Sequence, residues 1–290
     1  MIDNLNIENT IDKSCQDQIG SIVVAGCGAM GLPMARCLQR SNFDVRGFDI
    51  RPIDQFGQFS SLMLTGAEMI RQRDVLISVV RDEQQTLALC FDQQGVFKGD
   101  IFPRILIVSS TVSPRFIRHL SERLPKEVEL IDAPMSGAPH GATSGDLSFM
   151  LGGQHGVVQR LMPLFNAIGK QVFYCGESGA GMTMKVLNNY VAANTVAAVR
   201  RVYDMACALE VDHILLRRIM ASSSGSTWFG DQFEQIEWSK QGYESGNTIG
   251  ILEKDVLSAL DAVVDNRKIC DSGLDQAVLL ALRSLKQFKT

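Results

Sequence analysis

Short runs of apolar residues, too brief for helices, punctuate the first 180 residues and alternate with segments of helical period. Ser21 to Ala25, Val45 to Ile50, Val75 to Val80, Ile105 to Val108, Val128 to Ala133, Leu147 to Leu151 and Gln171 to Tyr174 read as strands. Met30 to Arg40, Ser60 to Arg71, Gln84 to Cys90 and Ser113 to Arg123 read as helices. Such alternation predicts an α/β fold with a parallel, doubly wound sheet, in which ligands bind beyond the carboxyl ends of the strands. A glycine-bounded hinge, Gly176 to Gly181, closes this region. Beyond it no strand pattern is evident. Helices are predicted at Met182 to Leu209, His213 to Ala221, roughly Gln232 to Trp238, Leu252 to Val264 and Leu274 to Phe288. The expected organisation is a leader at 1–18, a sheet domain at 19–180 and an all-helical domain at 181–290 opened by a long interdomain helix.

Composition narrows the class. An apolar fraction of 46% and a charged fraction of 21% belong to a globular protein, and a net charge of −4 gives nucleic acid nothing to bind. No apolar run approaches the roughly 18 residues that cross a bilayer, so no membrane role is expected. Residues 1–18 are polar, lack the apolar stretch of a signal peptide and read as disordered. The seven cysteines are scattered without CxxC spacing, which fits reduced thiols in the cytoplasm. The four histidines form no ligand-spaced pair, so no metal is expected.

The first strand runs into Gly26-Cys27-Gly28-Ala29-Met30-Gly31, and a helix follows. This Gly-x-Gly-x-x-Gly lies between a strand and a helix, and a second strand ends in Asp49, about 20 residues on. Gly26 permits the tight turn, Gly28 lets backbone approach a pyrophosphate, and Gly31 lets helix and strand pack closely. The helix N-terminus offers free N–H groups to phosphate. These features predict a Rossmann-type dinucleotide-binding domain. An acid at Asp49 suits the adenosine ribose and favours NAD, with NADP possible. Ile50 and Arg51 belong to the same segment. Arg51 reads as a solvated cation, with neutralisation of a 2′-phosphate as the alternative. Val80 and Arg81, and Thr111 before Pro114, sit at later strand ends as further cofactor candidates; a serine or threonine before Pro114 also suits a helix cap.

Two other stretches carry candidate chemistry. Asp132 to Gly153 is crowded with small residues, and Ser136-Gly137-Ala138 offers a hydroxyl and successive N–H groups to a carboxylate; an ordinary glycine-rich turn is the structural alternative. Gly179-Ala-Gly181 opens a helix with apolar residues on nearly every face, which predicts a buried helix. Lys185, Asn188 and Asn189 share one side of it. A lysine short of water has a lowered pKa and becomes usable for proton transfer. A lysine snorkelling to solvent is the alternative. Lys254-Asp255 begins a later helix, either as a solvated end or with Lys254 reaching the cofactor.

In this order the segments resemble the β-hydroxyacid dehydrogenase family, which includes 3-hydroxyisobutyrate dehydrogenases and tartronate semialdehyde reductases. The matching blocks are Gly26 to Ala35, Asp132 to Gly137, Gly179 to Asn189 and Lys254-Asp255. The resemblance implies an NAD(P)-dependent oxidoreductase acting on a small β-hydroxy acid or its semialdehyde. Lys185 would be the proton-transfer group, with Asn189 orienting it. Ser136, Gly137 and Ala138 would bind the substrate carboxylate, Thr111 would meet the nicotinamide end and Lys254 the cofactor. It also implies a C-terminal domain like that of 6-phosphogluconate dehydrogenase and assembly as a homodimer or homotetramer. Two positions depart from the family's pattern: Ala138, where a second glycine is common, and Arg81, where Leu-Pro often ends the strand. An imine reductase of similar fold and a non-catalytic NAD(P)-binding sensor or scaffold are the alternatives.

Overall fold

A computed structural model describes residues 19–264 and 272–288. The leader expected at 1–18 lies outside the described residues. The chain divides into two compact units, Met1–Met182 and Thr183–Thr290.

In the first unit, β1 (Ile22–Ala25), α1 (Gly31–Arg40), β2 (Val45–Phe48), β3 (Val75–Ser78), α2 (Glu83–Cys90), β4 (Ile105–Val108), α3 (Pro114–Arg123) and β5 (Glu129–Asp132) alternate much as the apolar runs predict. After them come β6 (Met135–Ser136), α4 (Ala138–Ser144), β7 (Leu147–Gly152), α5 (His155–Ile168) and β8 (Gly169–Gly176). Sheet order is β2-β1-β3-β4-β5-β7-β6, with β8 also paired to β7. The strands of the first half are parallel. They are buried on both faces, which is why they read as unbroken apolar runs. Ile22, Val24, Val75, Ile77 and Ile107 pack with α1 and α5, whereas Val23, Ala25, Leu76, Leu106 and Val108 pack with α2 and α3. The period-2 alternation of a strand thus feeds two cores.

The structure corrects four expectations. The sheet is mixed: β7 runs antiparallel to β5 and β6, and β8 parallel to β7. Residues 60–71 form no α-helix; 3₁₀ turns span Ile53–Leu62 and Ala67–Met69, interrupted at Gly57 with φ 57°. Between those turns Leu64 N–H bonds to Gly47 O at 2.7 Å, so this backbone is committed to the edge of β2. Helix α5, which the pattern did not predict, buries Val157, Val158, Leu161, Leu164, Phe165 and Ile168 on one face despite Pro163. Finally, 232–238 is a series of turns, such as Ser239 N–H to Ile236 O at 3.0 Å, rather than a helix.

The long helix α6 (Ala180–Ala208) begins beside β5. Asp132, the last residue of β5, is fully buried, and its carboxylate accepts from the backbone N–H groups of Gly179 and Met182, each at 2.6 Å. Burial pushes its pKa up, and these amides oppose that rise. The close fit requires small neighbours: a Cβ at Gly181 would lie 2.2 Å from Met150 O.

In the second unit α6 is followed by α7 (His213–Ala221), α8 (Trp228–Asp231), α9 (Thr248–Val263) and α10 (Gly273–Ser284). A core of Val196, Val199, Tyr203, Phe229, Phe233, Ile249, Val256 and Leu282 holds them. Buried Arg200 donates to the carbonyls of Ser239 and Gln241, both at 2.7 Å, and to that of Lys286. The expectation that α6 is buried on all sides fails, because Met184, Leu187 and Val191 are exposed.

Asp132→Ala leaves buried amides unpaired and is expected to cost about 3 kcal/mol of stability. Asp132→Asn, which keeps an acceptor, costs less. Urea unfolding of the three proteins checks the order.

Candidate active site

The parallel registers decide which loops meet. Ala25 pairs with Phe48 and Ser78, Ser78 with Val108, and Val108 with Asp132. The segments that follow therefore share the carboxyl edge of the sheet: 26–31, 49–51, 80–81, 109–111 and 133–138.

Gly26 has φ +91°, and a Cβ there would lie 2.6 Å from Val79 O, so only glycine fits. A Cβ at Gly31 would sit 2.1 Å from Gly26 O. At Gly28 a Cβ would meet nothing within 4 Å, and no side chain caps the start of α1 at Met30. By contrast, Asp82 caps α2 and Ser113 caps α3. A helix N-terminus with uncapped donors beside an open glycine fits a pyrophosphate. Ala29 is exposed and Met30 is partly buried against the core. Cys27 takes part through its backbone only; its thiol is buried and pushed up to about 12 by desolvation and then by Asp49.

Asp49 follows β2. Burial works against its ionisation, but hydrogen bonds and charge from Arg51 hold the carboxyl below its ordinary value. Arg51 is exposed, as a solvated cation would be, and is also paired: its Nε and Nη2 bond to the two oxygens of Asp49 at 3.0 and 3.1 Å. Ile50 beside them is 81% exposed. Ser110 Oγ donates to Val80 O at 2.6 Å, and the Arg81 N–H donates to Gln85 Oε1 at 3.0 Å, which ties these strand-end loops together. Thr111 lies partly exposed two residues before the α3 cap.

Ser136 lies on β6, partly exposed, opposite Ser148. Gly137 and Ala138 are exposed, with φ of +135° and +54°. An alanine in the left-handed region is strained by roughly 1–2 kcal/mol.

The second unit gathers the remaining candidates. Lys185 is buried, with 6% of its surface exposed. Desolvation pulls its pKa down, Asp255 resists that fall, and the like charge of Lys254 adds to it. Asn189 Nδ2 donates to Asp255 Oδ2 at 2.6 Å, and Lys254 Nζ donates to Asp255 Oδ1 at 2.7 Å. Asp255 is thus the member of the site that sequence reasoning left without a role; its place directly after Lys254 was the available signal. Asn188 is exposed and reaches only Asn189 Oδ1, at 3.1 Å. The snorkelling alternative for Lys185 does not match its burial. Among the described residues no three His, Cys, Asp or Glu side chains group as a metal site.

Residues 21–176 match the family described as the NAD binding domain of 6-phosphogluconate dehydrogenase. Residues 179–269 match the NAD-binding domain of NADP-dependent 3-hydroxyisobutyrate dehydrogenase. An NAD-dependent L-serine dehydrogenase of Pseudomonas aeruginosa is 31% identical over 213 residues, which cover 71% of each chain. A mitochondrial 3-hydroxyisobutyrate dehydrogenase of Mus musculus is 27% identical over 256 residues, covering 83% of this chain and 75% of that one. The solved 3-hydroxyisobutyrate dehydrogenase of Mycobacterium tuberculosis shares the fold with a TM-score of 0.74 at 23% identity, over 90% of this chain and 91% of that one. The chain belongs to the β-hydroxyacid dehydrogenase family.

Relief of the left-handed strain predicts that Ala138→Gly stabilises the protein by about 1 kcal/mol, net of the entropy glycine adds to the unfolded chain. Thermal unfolding of the two proteins measures this.

Proposed function

We propose that the protein oxidises a small β-hydroxy acid, or reduces the matching semialdehyde, with a nicotinamide dinucleotide. The carrying observation is Lys185: a lysine buried in a helix, with its pKa lowered, beside the Asn189–Asp255–Lys254 network. The glycine turn, the uncapped start of α1 and Asp49 are the residues that would hold the dinucleotide. When bound, its nicotinamide ring supplies the hydride acceptor or donor.

Neutral Lys185 takes the proton of the substrate hydroxyl as the carbon is oxidised, and protonated Lys185 returns it in reduction. Asn189, fixed by Asp255, orients the hydroxyl and the amine. Ser136, Gly137 and Ala138 receive the carboxylate, and Val80, Arg81, Thr111 and Lys254 contact the cofactor. L-Serine dehydrogenase and 3-hydroxyisobutyrate dehydrogenase relatives support this substrate class. The comparisons favour neither an imine reductase nor a non-catalytic sensor. The described cysteines 27, 37, 90, 175 and 207 are free, which agrees with a cytoplasmic location. Exposed Met184, Leu187 and Val191 on α6, with Ile214, Leu215 and Ile219 on α7, support a homodimer or homotetramer.

A turnover screen with both dinucleotides over L-serine, 3-hydroxyisobutyrate, L-threonate, tartronate semialdehyde and succinic semialdehyde tests the assignment. Lys185→Ala is expected to keep dinucleotide binding and to lose at least two decades of turnover, in line with the roughly 10²–10⁴ that acid–base catalysis supplies. Full activity of that variant removes Lys185 from the mechanism.

The pH profile carries a sign as well. Oxidation needs the neutral amine, so the rate rises with pH through a limb that lies below the ordinary lysine value. Asp255→Asn removes the charge that favours the protonated amine and moves that limb to lower pH. Lys254→Met removes the repelling charge and moves it to higher pH. Rate–pH curves that shift in one common direction contradict the assignment.

A further inference from the structure

Lys185 differs from every other described lysine in what surrounds its nitrogen. Lys98, Lys126, Lys170 and Lys286 are exposed to water. Lys240 and Lys254 are partly buried, and each is held by a carboxylate, Glu234 Oε2 at 2.9 Å and Asp255 Oδ1 at 2.7 Å. Lys185 is buried, and among the described residues its Nζ enters no hydrogen bond or ion pair. Asp255, the acid whose charge reaches it, already has a donor on each oxygen, Asn189 on one and Lys254 on the other. Desolvation and the cation of Lys254 both disfavour a charge on Lys185. A lysine kept neutral by burial and by a neighbouring cation carries an available lone pair, which makes it a nucleophile toward a carbonyl carbon.

We propose that Lys185 has a second activity: it captures small carboxylate-bearing aldehydes, the oxidised partners of the β-hydroxy acids, as a reversible covalent imine. The arrival of the aldehyde at the amine rests on the dehydrogenase reading above. Nζ adds to the aldehyde carbon while the C=O π electrons move onto oxygen, and a proton passes from nitrogen to that oxygen. Loss of water from this carbinolamine leaves a C=N bond. The nitrogen gives up two hydrogens, the aldehyde gives up its oxygen, and one water leaves. No oxidant or reductant is consumed, and water reverses the reaction. Capture and proton transfer exclude each other, because a nitrogen bonded to the aldehyde carbon has no proton to return to a hydroxyl oxygen. Semialdehyde present without reduced dinucleotide is thus held by the protein and idles it. Asp255 and Lys254, both on α9, are the charged groups that act on the amine. The acid favours the ammonium, and the neighbouring cation favours the nucleophile.

The test treats the full-length protein, without dinucleotide, with tartronate semialdehyde or succinic semialdehyde and cyanoborohydride, which reduces an imine to a stable secondary amine. Intact mass and a peptide map read the product. Near neutral pH one adduct per chain is expected, with a mass gain equal to the aldehyde less one oxygen. Lys185 is expected to carry at least tenfold more label than any exposed lysine, and its labelling rises at lower pH than theirs. Lys254→Met moves that rise to higher pH, and Lys185→Arg removes the adduct. The peptide map of the unsubstituted protein locates the label, so the test does not depend on either variant folding. Label spread over exposed lysines without preference for Lys185, or a Lys185 adduct that appears only at the pH of the exposed lysines, overturns the proposal. A rise that a folded Lys254→Met leaves in place overturns it too. Reduction of the same semialdehydes with reduced dinucleotide is assayed in parallel. Turnover without a Lys185 adduct overturns the capture and leaves the dehydrogenase reading standing. An adduct without turnover of any compound in the panel above supports the capture and overturns the dehydrogenase reading.

Discussion

The grip of the buried Asp132 carboxylate on two backbone amides fixes the start of α6 against the end of β5. A charge removed from water is costly unless hydrogen bonds replace its hydration. Here the replacements are the N–H groups of Gly179 and Met182, two of the donors that any helix start leaves without a partner. Each side solves the other's problem: the carboxylate gains donors, and α6 gains a fixed first residue. Gly152 and Gly181 are small because the fit leaves no room. A Cβ on Gly152 would lie 2.4 Å from Asp132 Oδ1. Asp132 of the block that resembles a substrate-binding signature thus bonds to the first residues of the block that resembles a catalytic one. The asparate at the head of the first block holds the start of the helix that carries Lys185 in its next turn.

The charged groups of the second unit are balanced differently. Desolvation of Lys185 favours the neutral amine, and Asp255 opposes that effect without cancelling it. Asp255 is not alone. Lys254 occupies one of its oxygens and Asn189 the other, so part of its negative potential is spent nearby. The result is a buried amine held below its ordinary pKa beside charges that partly offset one another. A lysine with desolvation but no network would be equally neutral, yet poorly placed.

Much of this was legible in the sequence, and the exceptions have a common cause. Strands β1, β3 and β4 are apolar on both faces, and the glycine turn has strong steric requirements, so local pattern sufficed. Helix α5 was hidden by Pro163 and the glycines near its start, although its apolar face has a clear helical spacing. Residues 60–71 have helix-compatible composition, but a bond from Leu64 to Gly47 on a neighbouring strand takes their backbone. The reversal of β7 against β5 depends on a pairing that no local signal encodes. Lys185 and Asn189 were legible from their spacing along one helix. The partners that define their chemistry lie 66 residues further on, at the Asn189–Asp255 bond. The pairing of Arg51 went unread for the opposite reason: its partner is only two residues away, but a turn conformation rather than a periodic element brings them together.

Asp255 also owes its fixed position to its neighbour Glu253. Residues two apart on a helix point about 200° apart, onto nearly opposite sides. On α9, buried Glu253 accepts from Arg283 Nε of α10 at 2.5 Å and from the hydroxyl of Tyr243. Asp255, on the other side, accepts from Asn189 of α6. The helix is therefore fastened on both flanks by acids whose partners belong to different elements. A rotation of α9 that relaxed one set of bonds would break the other, leaving a buried carboxylate unpaired at a cost of several kcal/mol. The position of Asn189 is thus tied, through Asp255, to bonds that Glu253 makes on the opposite flank of α9.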